Sequence, residues 1–467
     1  MSDVGVDVIV IGAGPPGENA AGRCADRGLS VTIVEERLVG GECSYFGCIP
    51  SKTLIRPGDV IAAAKRAPGA AEAVTGRIDV AAAFAQRDYM TSNWDDSGQL
   101  PWLKSKGIEL IRGRGRLSGD KAVEVEQSDG TTRRLTAGRA VVLACGTVPL
   151  MPPIEGLGEV HAWDNRDATA AKELPRRLAV LGGGPIGVEM AQAFKRLGTE
   201  EVTVVEGSDH LLAREEPFAG EQVRASFEQE GIVVLTGVKM KAVRRASGNG
   251  AVTATLEDGR EVEADEILVA VGRRPNTSDI GLETVGLEAL KGKFAAVDER
   301  LRVIGAPGEW LYAVGDCNGL ALLTHMGKYQ GRLVGDVIAG RAATDLADHG
   351  AIPRVTFTDP QVCAVGLTEA EARKQGIDVR VVSYGTGDVA GAYTRGNAIT
   401  GTSQLVIDEG RRVVVGATFT GPDVQELLHS ATIAVVAAVP LDSLWHAVPS
   451  FPTVSEVWLR LLEEYGL

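Results

Sequence analysis

The chain has 467 residues, too many for one ordinary core, so two to four domains are expected. Apolar residues make up 44% and mark a folded globular protein, while 62 acidic against 48 basic side chains leave a net charge of -14 and disfavour nucleic acid and anionic membranes as partners. Six cysteines are too few for a disulfide scaffold, the N-terminal "MSDVGVDVIVIGAGPPG" lacks the basic start of a signal peptide, and no apolar run spans a bilayer, so a cytoplasmic protein with no membrane partner is expected.

The first predicted unit is "VDVIVIGAGPPGENAAGRCADRGLSVTIVEE", residues 6–36. It reads as a buried strand, a glycine-rich turn, a helix and a second strand ending in an acid. Gly12, Gly14 and Gly17 fall as G-x-G-x-x-G, and Glu35 closes the second strand. The first glycine of such a turn allows the tight bend, and the second lets the backbone approach a pyrophosphate. The helix N-terminus supplies N–H donors, and the acid accepts from ribose hydroxyls.

Next comes "GGECSYFGCIPSK", residues 40–52, which holds Cys43 and Cys48. Cys-x4-Cys is not a common zinc half-site and no second half-site follows, so no metal is expected. The pair follows the first dinucleotide turn and leads into a predicted helix, whose N-terminus favours thiolate. A redox-active pair beside a flavin is therefore the preferred reading, over two cysteines that only pack.

A helical stretch is expected from about 53 to 100, then β-rich sequence to about 150. The dinucleotide design then repeats in "RLAVLGGGPIGVEMAQAFKRLGTEEVTVVE", residues 177–206, with Gly182, Gly184, Gly187 and a terminal Glu206. Two such sites in one chain suggest a flavin and a nicotinamide exchanging electrons. Glu206 accepts from a 2′-hydroxyl but repels a 2′-phosphate, and "GSDHLL" after it contains no arginine, so NADH is expected over NADPH. Arg214, Arg273 and Arg274 are the other candidates for a phosphate contact. More α/β sequence ends in a predicted strand over 266–277, and from about 350 a separate C-terminal α+β domain is expected.

The motifs "GAGPPG", "GGECSYFGCIPSK", "GGGPIGVEMAQAF", "VGRRPNT", "YAVGDCNG" and "FTDPQVCAVGLTEAEA" stand in an order that resembles the FAD-dependent pyridine nucleotide–disulfide oxidoreductases, the family of dihydrolipoamide dehydrogenase, glutathione reductase and mercuric reductase. The resemblance covers nearly the whole chain. It implies an α/β fold with two Rossmann-like dinucleotide-binding domains plus a C-terminal α+β dimerisation domain. The boundaries expected are 1–155 (FAD, first segment), 156–276 (NAD), 277–348 (FAD, second segment) and 349–467 (dimerisation). It also implies a homodimer whose active site uses both subunits, and a small-molecule electron acceptor.

By position, the resemblance makes Cys48 the thiol nearer the flavin and Cys43 the thiol that meets the acceptor. Lys52 would lie beside the isoalloxazine and pair with Glu189, while Asp316 and Gly315 would bind the ribityl side. Arg273 is placed among the NAD contacts. The family's C-terminal signature carries a histidine that serves the thiols as acid/base, with a glutamate five residues on to orient it. This chain reads "HAVPSFPTVSEVW": Glu456 is in place, but the histidine position is Phe451, which neither donates nor accepts a proton. His446 and His429 are the weaker substitutes. Tyr45 and Phe46 suggest apolar bulk beside Cys43. An oxidoreductase with an altered acceptor is thus expected. The alternatives are an enzyme similar to 2-ketopropyl-coenzyme M oxidoreductase/carboxylase, which also carries Phe there, and a redox-responsive flavoprotein controlling a partner.

Overall fold

The computed structural model describes residues 4–246, 250–345 and 350–467. They form two compact units: Met1–Pro50 with Asp88–Leu150 and Arg273–His349, and Ser51–Arg87 with Met151–Gly272 and Gly350–Leu467.

The first unit is built on a seven-stranded sheet in the order β3-β2-β1-β6-β5-β4, where β1 is Val4–Ile11, β2 Val31–Glu35, β3 Glu109–Arg112, β4 Arg114–Gly119, β5 Ala122–Glu126 and β6 Thr132–Leu143. The seventh strand, Leu311–Ala313, pairs in parallel with β6, Leu311 opposite Val141. β1, β2, β3 and β6 pair in parallel, which buries both faces and explains the unbroken apolar runs. Val8, Ile9, Val10, Ile33, Val141 and Val142 are 0% exposed. Each contributes roughly 1.5–3 kcal/mol by leaving water. Helix α1, Pro15–Asp26, packs against the helix Thr324–Ile338. Glycines at i, i+4 and i+8 of the latter permit the close approach: a Cβ on Gly331 would lie 2.5 Å from the Pro16 carbonyl oxygen, and one on Gly335 2.6 Å from Arg23 Cβ. Arg23 and Arg27 both reach Asp336, at 2.6 and 2.7 Å, and fix the register.

The second unit holds a four-stranded parallel sheet, Ile232–Leu235, Glu201–Val205, Arg177–Leu181 and Glu266–Val269 in spatial order, with a three-stranded antiparallel sheet. It also contains a five-stranded antiparallel sheet drawn from Arg354–Thr356 to Val413–Gly421, on which the helix Val424–Val436 packs. Phe419, Leu405, Val457 and Leu461 are fully buried there.

One expected element divides. The strand read over 266–277 stops at Val269, Gly272 takes φ 138°, and Arg273–Pro275 pairs with Thr147–Pro149 in the first unit. An apolar run cannot report a turn that a single glycine makes possible. Among the described residues, no helix is long and apolar enough to cross a membrane.

Candidate active site

The two glycine-rich turns share a backbone. Gly12 and Gly182 have φ of 105° and 111°, where any other residue is strained. Their N–H groups donate to Val34 and Val205 carbonyls at 2.8 and 2.9 Å. A Cβ on Gly17 would collide with the Gly12 carbonyl, and one on Gly187 with the Gly182 carbonyl, so each helix can start only with glycine there. Gly14 and Gly184 are extended N-caps without a side-chain cap, followed by proline. Pro15, Pro16 and Pro185 carry no N–H, so the leading donors left for an anion are that of Gly17 in the first helix and those of Ile186 and Gly187 in the second.

The two acids also repeat. Glu35 accepts the N–H of Ala13 and of Arg37, each at 2.7 Å. Glu206 accepts the N–H of Gly183 at 2.6 Å and of Ser208 at 2.7 Å. Burial pushes the Glu35 carboxyl up, against the pull of its two N–H donors. Glu18, in the first turn of α1, is raised by burial to about 7, with Lys328 opposing and Glu35 adding to the rise. These turns fit a dinucleotide: a backbone cradle that a Cβ would fill, unspent donors, and a carboxylate at the ribose end.

Cys43 lies on a five-residue helix, α2 (Gly41–Tyr45), and Cys48 opens α3 (Cys48–Arg66). Gly47 joins them, and a Cβ there would come within 3.3 Å of Cys43 Cα. Both cysteines are unbridged and half-buried. The Cys43 thiol is pushed far up by its hydrogen bond to Cys48, then by burial and the Cys48 charge, so the two sulfurs share one proton environment. Cys48 Sγ lies 3.4 Å from Thr324 Oγ1. The Tyr45 ring turns inward against Gly40 and is 3% exposed, so it does not add open apolar surface beside Cys43.

Asp316 sits behind Gly315, whose φ is 71° and whose Cβ would strike Pro16. Thr147 Oγ1 donates to Asp316 at 2.8 Å and accepts from Arg273 Nε at 2.7 Å. Burial raises the Asp316 carboxyl, while Thr147 and Arg273 pull it down. Arg273 also bonds the Thr147 carbonyl at 3.0 Å and reaches Glu42 at 3.4 Å. The structure therefore gathers Arg273 with Asp316 and the Cys43 helix in the first unit, whereas Glu206 belongs to the second.

In the second unit Lys52 Nζ pairs with Glu189 at 2.6 Å. Glu189 is 4% exposed, and its other oxygen accepts the Phe357 N–H at 3.0 Å. The ammonium also lies 4.6 Å from the Phe357 ring centroid, a cation–π contact. Toward the C-terminus Phe451 is 76% exposed, and His446 and His429 are exposed. Glu456 is buried; one oxygen accepts from Arg460 at 2.8 Å, and the other, Oε2, takes no hydrogen bond. Thr147, Thr324 and Phe357 went unread in the sequence, because no local pattern marks a threonine or a ring whose partner lies more than a hundred residues away.

Two dinucleotide turns and a close cysteine pair define a flavin-dependent, pyridine nucleotide-linked enzyme with a redox-active disulfide. Residues 6–331 match the pyridine nucleotide-disulphide oxidoreductase family and residues 352–461 its dimerisation domain, so the chain belongs to that family. It is similar to a mercuric reductase of Staphylococcus aureus, 30% identical over 452 residues that cover 96% of this chain and 80% of that one. It is 33% identical over 466 residues to a dihydrolipoyl dehydrogenase of Haloferax volcanii, covering 98% and 96%. The crystal structure of LpdA from Mycobacterium tuberculosis superposes with a TM-score of 0.86 at 27% identity, over 99% of this chain and 100% of that one.

Proposed function

We propose that the enzyme passes electrons from NADH through FAD to a Cys43–Cys48 disulfide, and from there to a small-molecule acceptor other than an ordinary disulfide. Phe451 carries this reading. It stands five residues before Glu456, whose buried Oε2 has no donor, in the place where the family keeps its acid/base histidine. A ring without a titratable group cannot deliver the proton that a leaving thiolate needs.

FAD supplies the two-electron step between a nicotinamide and a dithiol. Residues 1–155 and 277–348 are assigned to it, with Gly12, Gly14, Gly17, Glu35, Gly315 and Asp316 as contacts. Residues 156–276 are assigned to NAD, with Gly182, Gly184, Gly187 and Glu206. Cys48 is the thiol facing the flavin and Cys43 the one facing the acceptor. Lys52, held by Glu189, places a positive charge for the reduced cofactor. Residues 349–467 form the homodimer interface, a role that suits the exposed Ile433, Val436 and Val448.

The test is NADH oxidation by the purified holoenzyme, screened against lipoamide, glutathione disulfide, quinones and Hg(II). Faster turnover with quinones or Hg(II) supports the reading, and lipoamide reduction at the family's usual rate overturns it. Capture of carbon dioxide from bicarbonate with a thioether ketone would favour the carboxylase alternative.

A further inference from the structure

Cys43 rides on a helix that cannot support itself. α2 has five residues, enters from Gly40 at φ 107° and has no side-chain cap. One turn leaves more backbone groups orphaned than it pairs. Besides the Arg273 contact to Glu42, the segment of residues 92–96 bonds both ends of this turn from outside. The Trp94 indole N–H donates to the Tyr45 carbonyl at 3.1 Å, two residues past Cys43. Asp96 accepts the Val39 N–H at 2.7 Å, just before the turn. Asp96 is itself gripped by Arg112 at 2.5 Å, and Arg112 also bonds the Arg37 carbonyl at 2.8 Å.

The backbone that presents these groups is strained. Ser92, Asn93 and Trp94 are left-handed in succession, with φ of 50°, 52° and 58°. Each costs about 1–2 kcal/mol for an L-residue with a side chain. Ser92 and Asn93 are exposed, so core packing does not repay them. Strain of this kind persists where surrounding bonds over-determine it, and it collects at functional sites. Two of the segment's bonds run to Val39 and Tyr45, the two ends of the Cys43 turn.

We infer that Trp94 is a positioning residue for the redox pair: through the Tyr45 carbonyl it holds Cys43 in register with Cys48. This rests on the reading of the pair given above. Closing the disulfide joins the two sulfurs and releases two electrons and two protons. Opening it consumes two electrons, which NADH supplies through the flavin, and two protons. The balance depends on the effective concentration of one thiol at the other, and this falls when the Cys43 turn is loosened.

Trp94→Phe keeps an aromatic ring and removes the N–H. Wild-type and variant holoenzyme are equilibrated in glutathione buffers of graded ratio, quenched in acid and alkylated, and the Cys43/Cys48 state is read by mass. The variant disulfide is expected to be easier to reduce, by about tenfold in the equilibrium constant, or about 30 mV for a two-electron couple. A merely structural residue would lower the melting temperature and leave this constant alone. Asn93→Gly relieves the backbone and spares both bonds, so its constant should match the wild type. An unchanged constant in Trp94→Phe overturns the inference, as does an equal shift in Asn93→Gly. If Trp94→Phe does not fold, Asp96→Asn decides: easier reduction supports the clamp and an unchanged constant overturns it. A wild type with no reducible disulfide refutes the reading of the pair itself, an outcome distinct from failure of the clamp.

Discussion

On the proposed reading, replacing Phe451 by histidine should install a proton relay at the thiols. Phe451 is 76% exposed on the chain, so the exchange gives up little buried surface and folding should survive it. On that reading Glu456 would be the orienting partner: it is 7% exposed, Arg460 holds one oxygen at 2.8 Å, and the buried Oε2 takes no hydrogen bond. A positioned acid/base contributes about 10²–10⁴-fold, or about 3–5 kcal/mol of barrier. An imidazole on an unadapted backbone should reach the lower end, about 10². The assay is steady-state reduction of lipoamide and glutathione disulfide by NADH, beside stopped-flow reduction of the flavin. Disulfide turnover should rise, and the flavin step, which does not pass through residue 451, should stay the same. Glu456→Gln in the Phe451→His background should remove part of the gain, because the amide orients an imidazolium less well than a carboxylate does. A wild type that already reduces lipoamide rapidly, or a Phe451→His enzyme with no gain, refutes the reasoning. His446 would then be the first residue to replace.

Cys48→Ser should abolish the long-wavelength thiolate–flavin absorption of the two-electron-reduced enzyme, while Cys43→Ser should show it without reductant; uptake of only the two flavin electrons by the wild type would exclude the dithiol. Stopped-flow reduction should be faster with NADH than with NADPH, and equal rates would mean that cations elsewhere outweigh Glu206. Glu18 predicts a pH effect on the apoprotein. Its folded carboxyl is raised from 4.5 to about 7, so its contribution to stability is fully present below pH 4.5 and is lost as pH rises through 7. Urea unfolding at pH 8 should find Glu18→Gln more stable than wild type by about 2–3 kcal/mol, allowing for partial solvation, with the difference fading toward pH 5. A difference that does not change with pH would place the carboxyl in solvent.

Both dinucleotide turns were legible because Gly12, Gly17, Gly182 and Gly187 are sterically compulsory, and compulsory residues leave a pattern at fixed spacing. The cysteine pair was legible by its spacing and its place after the first dinucleotide turn. Arg273 was not: the sequence places it inside a strand over 266–277 and among the NAD contacts, and only the turn at Gly272 carries it to Thr147 and Glu42. Trp94 and Phe357 act through an indole N–H, a backbone N–H and a ring face, on residues 49 and 168 positions away. Helix and strand periodicities carry no trace of such contacts. Tyr45, expected as apolar bulk beside Cys43, turns inward instead, because the neighbouring Gly40 leaves room for its ring.

The repeated acid bears directly on the choice of nicotinamide. Glu35 and Glu206 each spend a lone pair on the middle residue of their own turn and another on an N–H two residues downstream. An ionised carboxylate has about four acceptor sites, so each still has capacity for ribose hydroxyls. Because the backbone N–H groups pin it, neither side chain can swing aside without leaving those donors unpaired, at a cost of about 1–3 kcal/mol apiece. A 2′-phosphate arriving at the second turn would therefore meet a fixed negative charge rather than a mobile one. On the proposed reading, the carboxylate that holds the Gly183 turn closed is also the group that would disfavour the phosphate. Removing Glu206 to admit NADPH should accordingly loosen the Gly183 turn and weaken binding of both nucleotides, so a change of preference needs a new acceptor for the Gly183 N–H as well as a new cation.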